Sequence, residues 1–367
     1  MITTALFPSR YVQGRGALTT HLPQELAFLG RKALILQDPF VHQRYRDAVE
    51  TALHGVIEYQ IEVFNSECSD EEIARISDKA MAIGADVIVG MGGGKTLDTA
   101  KATGASLRLP IAILPTLAST DAPCSSLVVI YTAEGQFKRY LMIPRNPNLV
   151  LVDSGIIASA PVRFLVSGMG DALATWFEAE DCRIKGAGNM TSRPGPMTAF
   201  ELAHFCYETL MRYGRLAKLA CEQHQVTPAL EHVIEANTLL SGLGFESGGL
   251  AAAHAIHNGL TVLPQTHAYW HGEKVAFGTL AMLMLTDRSP ELIDEVYTFC
   301  EDVGLPVTLA DIGLSDVSDA DLMAVAQAAC QAGETMHNEP YEVTPETVMA
   351  SLRAADALGR ARKAQRR

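Results

Sequence analysis

The sequence has no cysteines close enough to form a CxxC knuckle. Its seven cysteines fall at 68, 124, 182, 206, 221, 300 and 330, and the nearest two are 15 residues apart. An odd count at such spacing indicates neither a zinc finger nor a disulfide framework, and reduced thiols point to the cytoplasm. Charge is sparse at 19% and lopsided, with 29 lysines and arginines against 42 aspartates and glutamates and a net charge of −13. A binder of phosphate backbones needs a basic face, so nucleic acid is not an expected partner. No uncharged apolar run approaches the ~20 residues that a membrane-spanning helix requires. The N-terminal MITTALFPSRYVQG lacks the charged and apolar regions of a secretory signal. Fixed-period repeats and low-complexity linkers are also missing.

What is present is core-forming sequence, 48% hydrophobic over 367 residues, which excludes a disordered chain and is enough for about two domains. Ala33–Gln37, Val56–Phe64, Asp86–Gly90, Ile111–Leu114 and Leu149–Asp153 read as buried strands separated by helical sequence, the pattern of parallel βαβ units. Leu127–Thr132 and Phe137–Met142, joined by Ala133–Gln136, read as a hairpin appended to that sheet. Ser69 and Glu72 have capping-box spacing. From about Ala160 the strand patterns stop, and alanine, leucine and glutamate recur at helical spacing. The expected fold is therefore an α/β domain over residues 1–160, with a Rossmann-like parallel sheet plus hairpin, and an all-α domain over 161–367. The basic Arg353, Arg360, Arg362, Lys363, Arg366 and Arg367 read as the solvated end of a last helix, where cations complement the helix dipole.

Gly90-Met91-Gly92-Gly93-Gly94-Lys95-Thr96 lies between a predicted strand and a predicted helix. Glycines let backbone N–H groups approach an anion, and the helix N-terminus adds partial positive charge, so the run reads as a pyrophosphate cradle. It is not a Walker A loop, because position 89 is valine, nor the usual GxGxxG. Asp38 directly follows the first predicted strand, where a carboxylate can accept from a ribose and repel a 2′-phosphate, favouring NAD over NADP. It precedes the glycines, whereas the usual fingerprint places its acid ~20 residues after them. The hydroxyl-rich stretch from Thr116 to Ser126 follows a strand at its carboxyl end, where ligands bind in open α/β sheets.

In the helical half, Asp171 follows Gly168-Met169-Gly170, and His254 and His257 sit at i,i+3. One carboxylate and two imidazoles with open positions suit a catalytic zinc or iron. Spacing alone leaves capping and core roles open for these residues. His267 and His271 form an i,i+4 pair only if that stretch is helical, and Pro264, Tyr269 and Trp270 favour a loop. Phe245 reads equally as the apolar wall of a substrate site or as ordinary helix packing.

The blocks GMGGGKTLDTAKA, LPTLASTDAPCSSLVVIYT, GMGDALATWFEA, VIEANTLLSGLGFESGGLAAAHAIHNGLT and HGEKVAFGTL together resemble the iron-containing (group III) alcohol dehydrogenase family, of dehydroquinate-synthase-like fold. The resemblance runs from about Tyr11 to the C-terminus. The six residues Gln265–Trp270 before His271-Gly272 are similar to the family's glycerol-oxidising branch. The resemblance implies an NAD-binding N-terminal domain, one zinc per subunit, a homo-octamer, and oxidation of glycerol or a related diol to the ketone with NAD. It puts the metal ligands on Asp171, His254 and His271, with His257 as a supporting or proton-passing group. The pyrophosphate contacts fall on Gly93, Gly94 and Lys95 and the ribose contact on Asp38. Further NAD contacts fall on Thr116, Ser119, Ser125, Leu127 and Tyr131, and a glycerol contact on Asp121. Family members acting on phosphorylated substrates, dehydroquinate synthase and glycerol-1-phosphate dehydrogenase, are the alternative. A phosphate needs convergent cations, and Lys274 is the only lysine or arginine between Ser241 and Leu280. A non-catalytic scaffold would be expected to lack one of the three ligands, and all three are present.

Overall fold

A computed structural model of the chain describes residues 2–366. Every strand lies before Ser154, and the described residues beyond it are helical or irregular. Six strands form one parallel sheet: β1 (Tyr11–Gly14), β2 (Lys32–Gln37), β3 (Glu58–Val63), β4 (Val87–Gly92), β5 (Ile111–Pro115) and β8 (Leu149–Asp153), in the order β1-β8-β5-β4-β2-β3. The central strands β4, β5 and β8 are buried at every position, which is why they read as unbroken apolar runs. β1 gave no such signal, because it has four half-buried residues and no alternation. β8, the last strand in sequence, sits between β1 and β5 rather than at an edge.

The hairpin differs from the expectation. β6 (Leu127–Tyr131) and β7 (Phe137–Met142) pair antiparallel as a sheet of their own, and a bridge between Ser69 and Tyr131 ties it down. Val128 and Ile130 of β6 are buried, while β7 is almost wholly exposed. Ser69 Oγ accepts the Glu72 N–H as expected. The Glu72 carboxylate, however, bonds the Asn65 N–H and Arg75 instead of closing a capping box.

The chain forms two compact units that do not follow a single cut. The first joins Leu6–Pro161 to Ala220–Gly242; the second is built from Val162–Leu219 and the chain from Leu243 onward, with the first few residues. Polar contacts explain why 220–242 belongs to the α/β unit. Gln13 Nε2 donates to the Glu231 carboxylate at 2.7 Å and Ser154 Oγ to the same group at 2.5 Å. Tyr11 and Thr238 hydroxyls bond at 2.8 Å.

The seven cysteines are free, and no helix among the described residues is long and apolar enough to cross a membrane. The last helix, Pro345–Gln365, uses its cations for specific ion pairs rather than only at its end. Arg353 pairs with Asp319, Arg360 with Asp356, Arg362 with Asp294 and Glu301, Lys363 with Asp311, and Arg366 with Glu301. Arg367 lies outside the described residues.

Within the helical unit, the Val162–Lys185 and His271–Leu285 helices touch backbone to backbone. A Cβ on Gly170 would stand 2.3 Å from the Gly272 carbonyl oxygen, and one on Gly272 would stand 1.8 Å from the Ser167 carbonyl oxygen. Neither neighbour is a flexible side chain, so neither can yield. Gly272→Ala is therefore expected to destabilise the protein by about 3 kcal/mol or more through overpacking, read as a lowered denaturant midpoint. Gly94→Ala is the contrasting case: a Cβ there meets nothing within 4 Å, and the change should be neutral or stabilising by up to about 1 kcal/mol.

Candidate metal centre and phosphate-binding loop

Asp171 and His271 flank the two glycines of that crossing, so the close approach sets the carboxylate beside the imidazole. Asp171 Oδ1 lies 3.0 Å from His271 Nε2 and 3.3 Å from His254 Nε2. One ligand atom from each of the three residues falls within 4.8 Å of the others. Asp171 is fully buried, whereas His271 keeps 36% of its side chain exposed, so one side of the cluster is open. The remaining ring nitrogens are occupied: His254 Nδ1 is 2.6 Å from Glu178 Oε2, and His271 Nδ1 is 3.0 Å from His257 Nε2. Two Nε2 atoms facing a carboxylate, with Nδ1 of each ring held from behind, is a donor set that fits a divalent transition ion.

Electrostatics follow the geometry. Burial opposes ionisation of Asp171, but the His271 and His254 rings outweigh it and hold the carboxyl well below the usual range. Burial likewise opposes charge on His254, yet Glu178 and Asp171 prevail and raise it well above an ordinary imidazole. Burial, then His271 and Lys274, push His257 well below its usual value and keep it neutral. The helix carrying both residues, Ala252–Leu260, has no side-chain cap of its own at Ala251. Glu178 Oε1 accepts the Ala251 and His254 N–H groups at 2.9 Å, and Glu339 accepts that of Ala252 at 2.9 Å. One carboxylate thus fixes His254 through both its ring and its backbone. Burial, reinforced by Asp181, pushes Glu339 up to about 9.

In the α/β unit, β3 continues outward from β2 while β4 returns to its other side. The loops after β2 and β4 therefore diverge at a topological switch point, the usual ligand crevice of such sheets. The register pairs Gln37 with Met91, which places Asp38 beside Gly92. A Cβ on Gly92 would stand 2.7 Å from Asp38 Oδ2. Asp38 also caps the following helix, its Oδ1 accepting the Val41 N–H. A Cβ on Gly93 would meet only Leu117, at 3.9 Å, and one on Gly94 nothing within 4 Å. Packing does not require glycine at these two positions. The space over the helix N-terminus is open, which fits a bound anion. Lys95 turns its ammonium to Glu67, at 2.6 Å, over the Tyr131 ring.

Thr116 ends the loop's approach, its N–H bonded to the Gly92 carbonyl. Ser119 and Leu127 are half-buried, Ser125 is fully buried, and burial pushes Tyr131 up to about 12. Asp121 is buried and accepts from Ser241 Oγ at 2.9 Å. Phe245 is buried in the Ser241–Gly248 helix. His267 does not join the histidine cluster. Pro264–Ala268 is a short 3₁₀ turn, Tyr269 and Trp270 are extended, and His267 Nε2 contacts the Thr261 carbonyl instead.

The sequence profile described as iron-containing alcohol dehydrogenase matches residues 8–154. The chain is 60% identical over 363 residues to the glycerol dehydrogenase of Thermotoga maritima, covering 99% of both chains. It is 47% identical over 354 residues to the glycolaldehyde reductase of Halobacterium salinarum, covering 96% of this chain and 97% of the relative. The crystal structure of glycerol dehydrogenase from Schizosaccharomyces pombe superposes with a TM-score of 0.95 at 38% identity, over 99% of this chain and 93% of that one.

Sequence reasoning missed four supporting residues. Glu178 had a legible signal, since it lies seven residues, or two helical turns, after Asp171. Asn237 and Ser241 had none. A π-helical segment, Ala236–Leu240, precedes Ser241, and Asn237 Nδ2 donates to the Ala118 carbonyl. Lys101 carries no sequence signal that sets it apart from other helix lysines, and its ammonium is fully buried. It bonds Asp98 at 2.8 Å and donates to the carbonyls of Ala122, Ser125 and Leu127, so one cation gathers the hydroxyl-rich loop. Lys101→Met should cost about 3–5 kcal/mol by leaving Asp98 an unpaired buried charge. Asp98→Asn with Lys101→Met should cost less, and chemical denaturation of both variants checks this.

Proposed function

The chain belongs to the iron-containing alcohol dehydrogenase family, and from that premise we propose that it oxidises glycerol to dihydroxyacetone with NAD⁺, releasing NADH and a proton. Hydride leaves C2, and related vicinal diols are expected substrates. The observation that carries this reading is the convergence of Asp171, His254 and His271 around one open position. Relatives named glycerol dehydrogenase support the choice of substrate. The scarcity of cations between Ser241 and Leu280 favours a neutral polyol over a phosphorylated one. The relative named glycolaldehyde reductase favours a second reading, reduction of a small hydroxyaldehyde. That reading shares the site and reverses the direction.

Asp171, His254 and His271 would hold one divalent ion, which we assign as zinc, although the same donors accept iron. When bound, the ion supplies Lewis-acid stabilisation of a deprotonated hydroxyl, and NAD⁺ supplies the acceptor for the C2 hydride. The chain's own residues orient the rest. Glu178 fixes the His254 ring so that Nε2 faces the ligand position. His257, neutral and bonded to His271 Nδ1, holds the second ring. Asp121 accepts a terminal hydroxyl of the polyol, its carboxylate oriented by Ser241. Gly93 and Gly94 leave backbone N–H groups accessible to the pyrophosphate, and Asp38 accepts from the adenosine ribose. Thr116, Ser119, Ser125, Leu127 and Tyr131 complete the NAD surface in this reading. We also propose a cytoplasmic homo-octamer, which light scattering should find at eight times the 39.5 kDa chain mass.

Purified protein with NAD⁺ and glycerol should form NADH, lose that activity to a chelator, and regain it with added zinc. NAD⁺ binding without turnover on glycerol would move the assignment to another substrate. The ion competes with a proton on His254, whose affinity for that proton is raised by Glu178 and Asp171. Zinc affinity should therefore rise with pH through and above the ordinary imidazole range near 6.5. Glu178→Gln removes much of that competition but also the orienting carboxylate, so its zinc affinity should be about 10-fold weaker at high pH and depend less on pH. Titration against a chromophoric chelator at several pH values checks both.

A further inference from the structure

The two imidazoles facing Asp171 are held differently. His254 is oriented directly by a carboxylate, Glu178. Behind His271 stands a longer chain: His271 Nδ1 is 3.0 Å from His257 Nε2, His257 Nδ1 is 3.1 Å from Asn258 Oδ1, and Asn258 Nδ2 donates to Glu334 Oε2 at 2.9 Å. We propose that Glu334 and Asn258 act as positioning residues for the divalent ion, fixing through His257 which nitrogen of His271 carries its proton. The proposal rests on the metal-centre reading above.

The argument is one of hydrogen-bond polarity. A carboxylate only accepts, so Glu334 draws the amide NH₂ of Asn258 toward itself and turns the amide oxygen to His257. An amide oxygen also only accepts, so a singly protonated His257 ring carries its proton on Nδ1. Its Nε2 is then a lone pair, and His271 Nδ1 must be the donor. When the His271 ring carries that one proton, its lone pair is on Nε2, the nitrogen that stands 3.0 Å from Asp171 and would face the ion in place of a proton. Without an anchor of fixed polarity, the Asn258 amide could turn over and reverse the order at every step.

The anchor is itself fastened to the helix it serves. Thr335 Oγ1 donates to the Ala251 carbonyl and Asn338 Nδ2 to the Leu250 carbonyl, both at 2.7 Å. Glu334 therefore belongs to a segment stapled along the start of the helix that carries His254 and His257. Nothing in the sequence marks it, since it lies 63 residues beyond His271.

The test measures zinc affinity of the full-length protein by competition with a chromophoric chelator, alongside thermal unfolding. His271→Ala tests the metal centre itself. Asn258→Leu keeps the volume but removes the acceptor and should weaken zinc binding about 10-fold, with little change in unfolding temperature. The exchange Asn258→Asp with Glu334→Gln keeps an acceptor toward His257 and a donor–acceptor pair behind it, so it should bind zinc within about twofold of the parent, as orientation of a ligand ring requires. Should Asn258→Leu fail to fold, Glu334→Gln alone should weaken binding and the exchange should restore it. Zinc affinity indifferent to Asn258→Leu, or an exchange no better than the single variants, with His271→Ala still weakened, overturns the relay and leaves the metal centre standing. Unchanged affinity in His271→Ala overturns the metal-centre reading and the relay together.

Discussion

The helical unit depends on a contact with no side chains in it. Gly170 and Gly272 bring two long helices to backbone contact, and a single methyl at either position would overlap a carbonyl oxygen. Asp171 and His271 are the adjacent residues, so the distance between carboxylate and imidazole is set by how closely two main chains can pack. Packed backbone is far less compliant than a pair of long side chains. The donors are therefore held near their working separation by the fold itself, and the cost of burying Asp171 is offset by the imidazoles it meets.

Buried polar side chains hold chain segments elsewhere, one at the start of a helix and one along the loop that leads into β6. Glu178 supplies the N-terminal cap that the Ala252–Leu260 helix lacks, and its second oxygen orients His254. Lys101 gathers the carbonyls of Ala122, Ser125 and Leu127 onto one ammonium. An isolated buried ion is costly, but each of these is surrounded by partners of opposite polarity at hydrogen-bond distance. The outcome is precision of placement rather than large net stability.

The two readings of Asp38, as a helix cap and as a ribose acceptor, are compatible. Oδ1 caps the helix, while Oδ2 faces the glycine loop. The unusual order, acid before glycines, follows from sheet topology: β2 and β4 are neighbours although β3 separates them in sequence. A chain-order fingerprint cannot express that adjacency, which arises where the sheet reverses direction.

Local pattern was enough for the elements whose burial is continuous. The apolar runs of β2, β4, β5 and β8 and the glycine-rich turn were legible because each answers to its own residues and near neighbours. The amino-acid sequence also carried the candidate ligands as residue types, and the choice of His271 over His257 came from resemblance, not from spacing. Tertiary structure alone decided the rest. It made the hairpin a separate sheet, joined 220–242 to the α/β unit, excluded His267, and brought Lys101, Asn258, Glu334 and Asn338 to positions of consequence. The physical reason is common to all of these. Their roles lie in hydrogen bonds to particular partners, from six positions away for His267 and Thr261 to 218 for Gln13 and Glu231, and such pairings leave no periodicity in either partner's own stretch of chain.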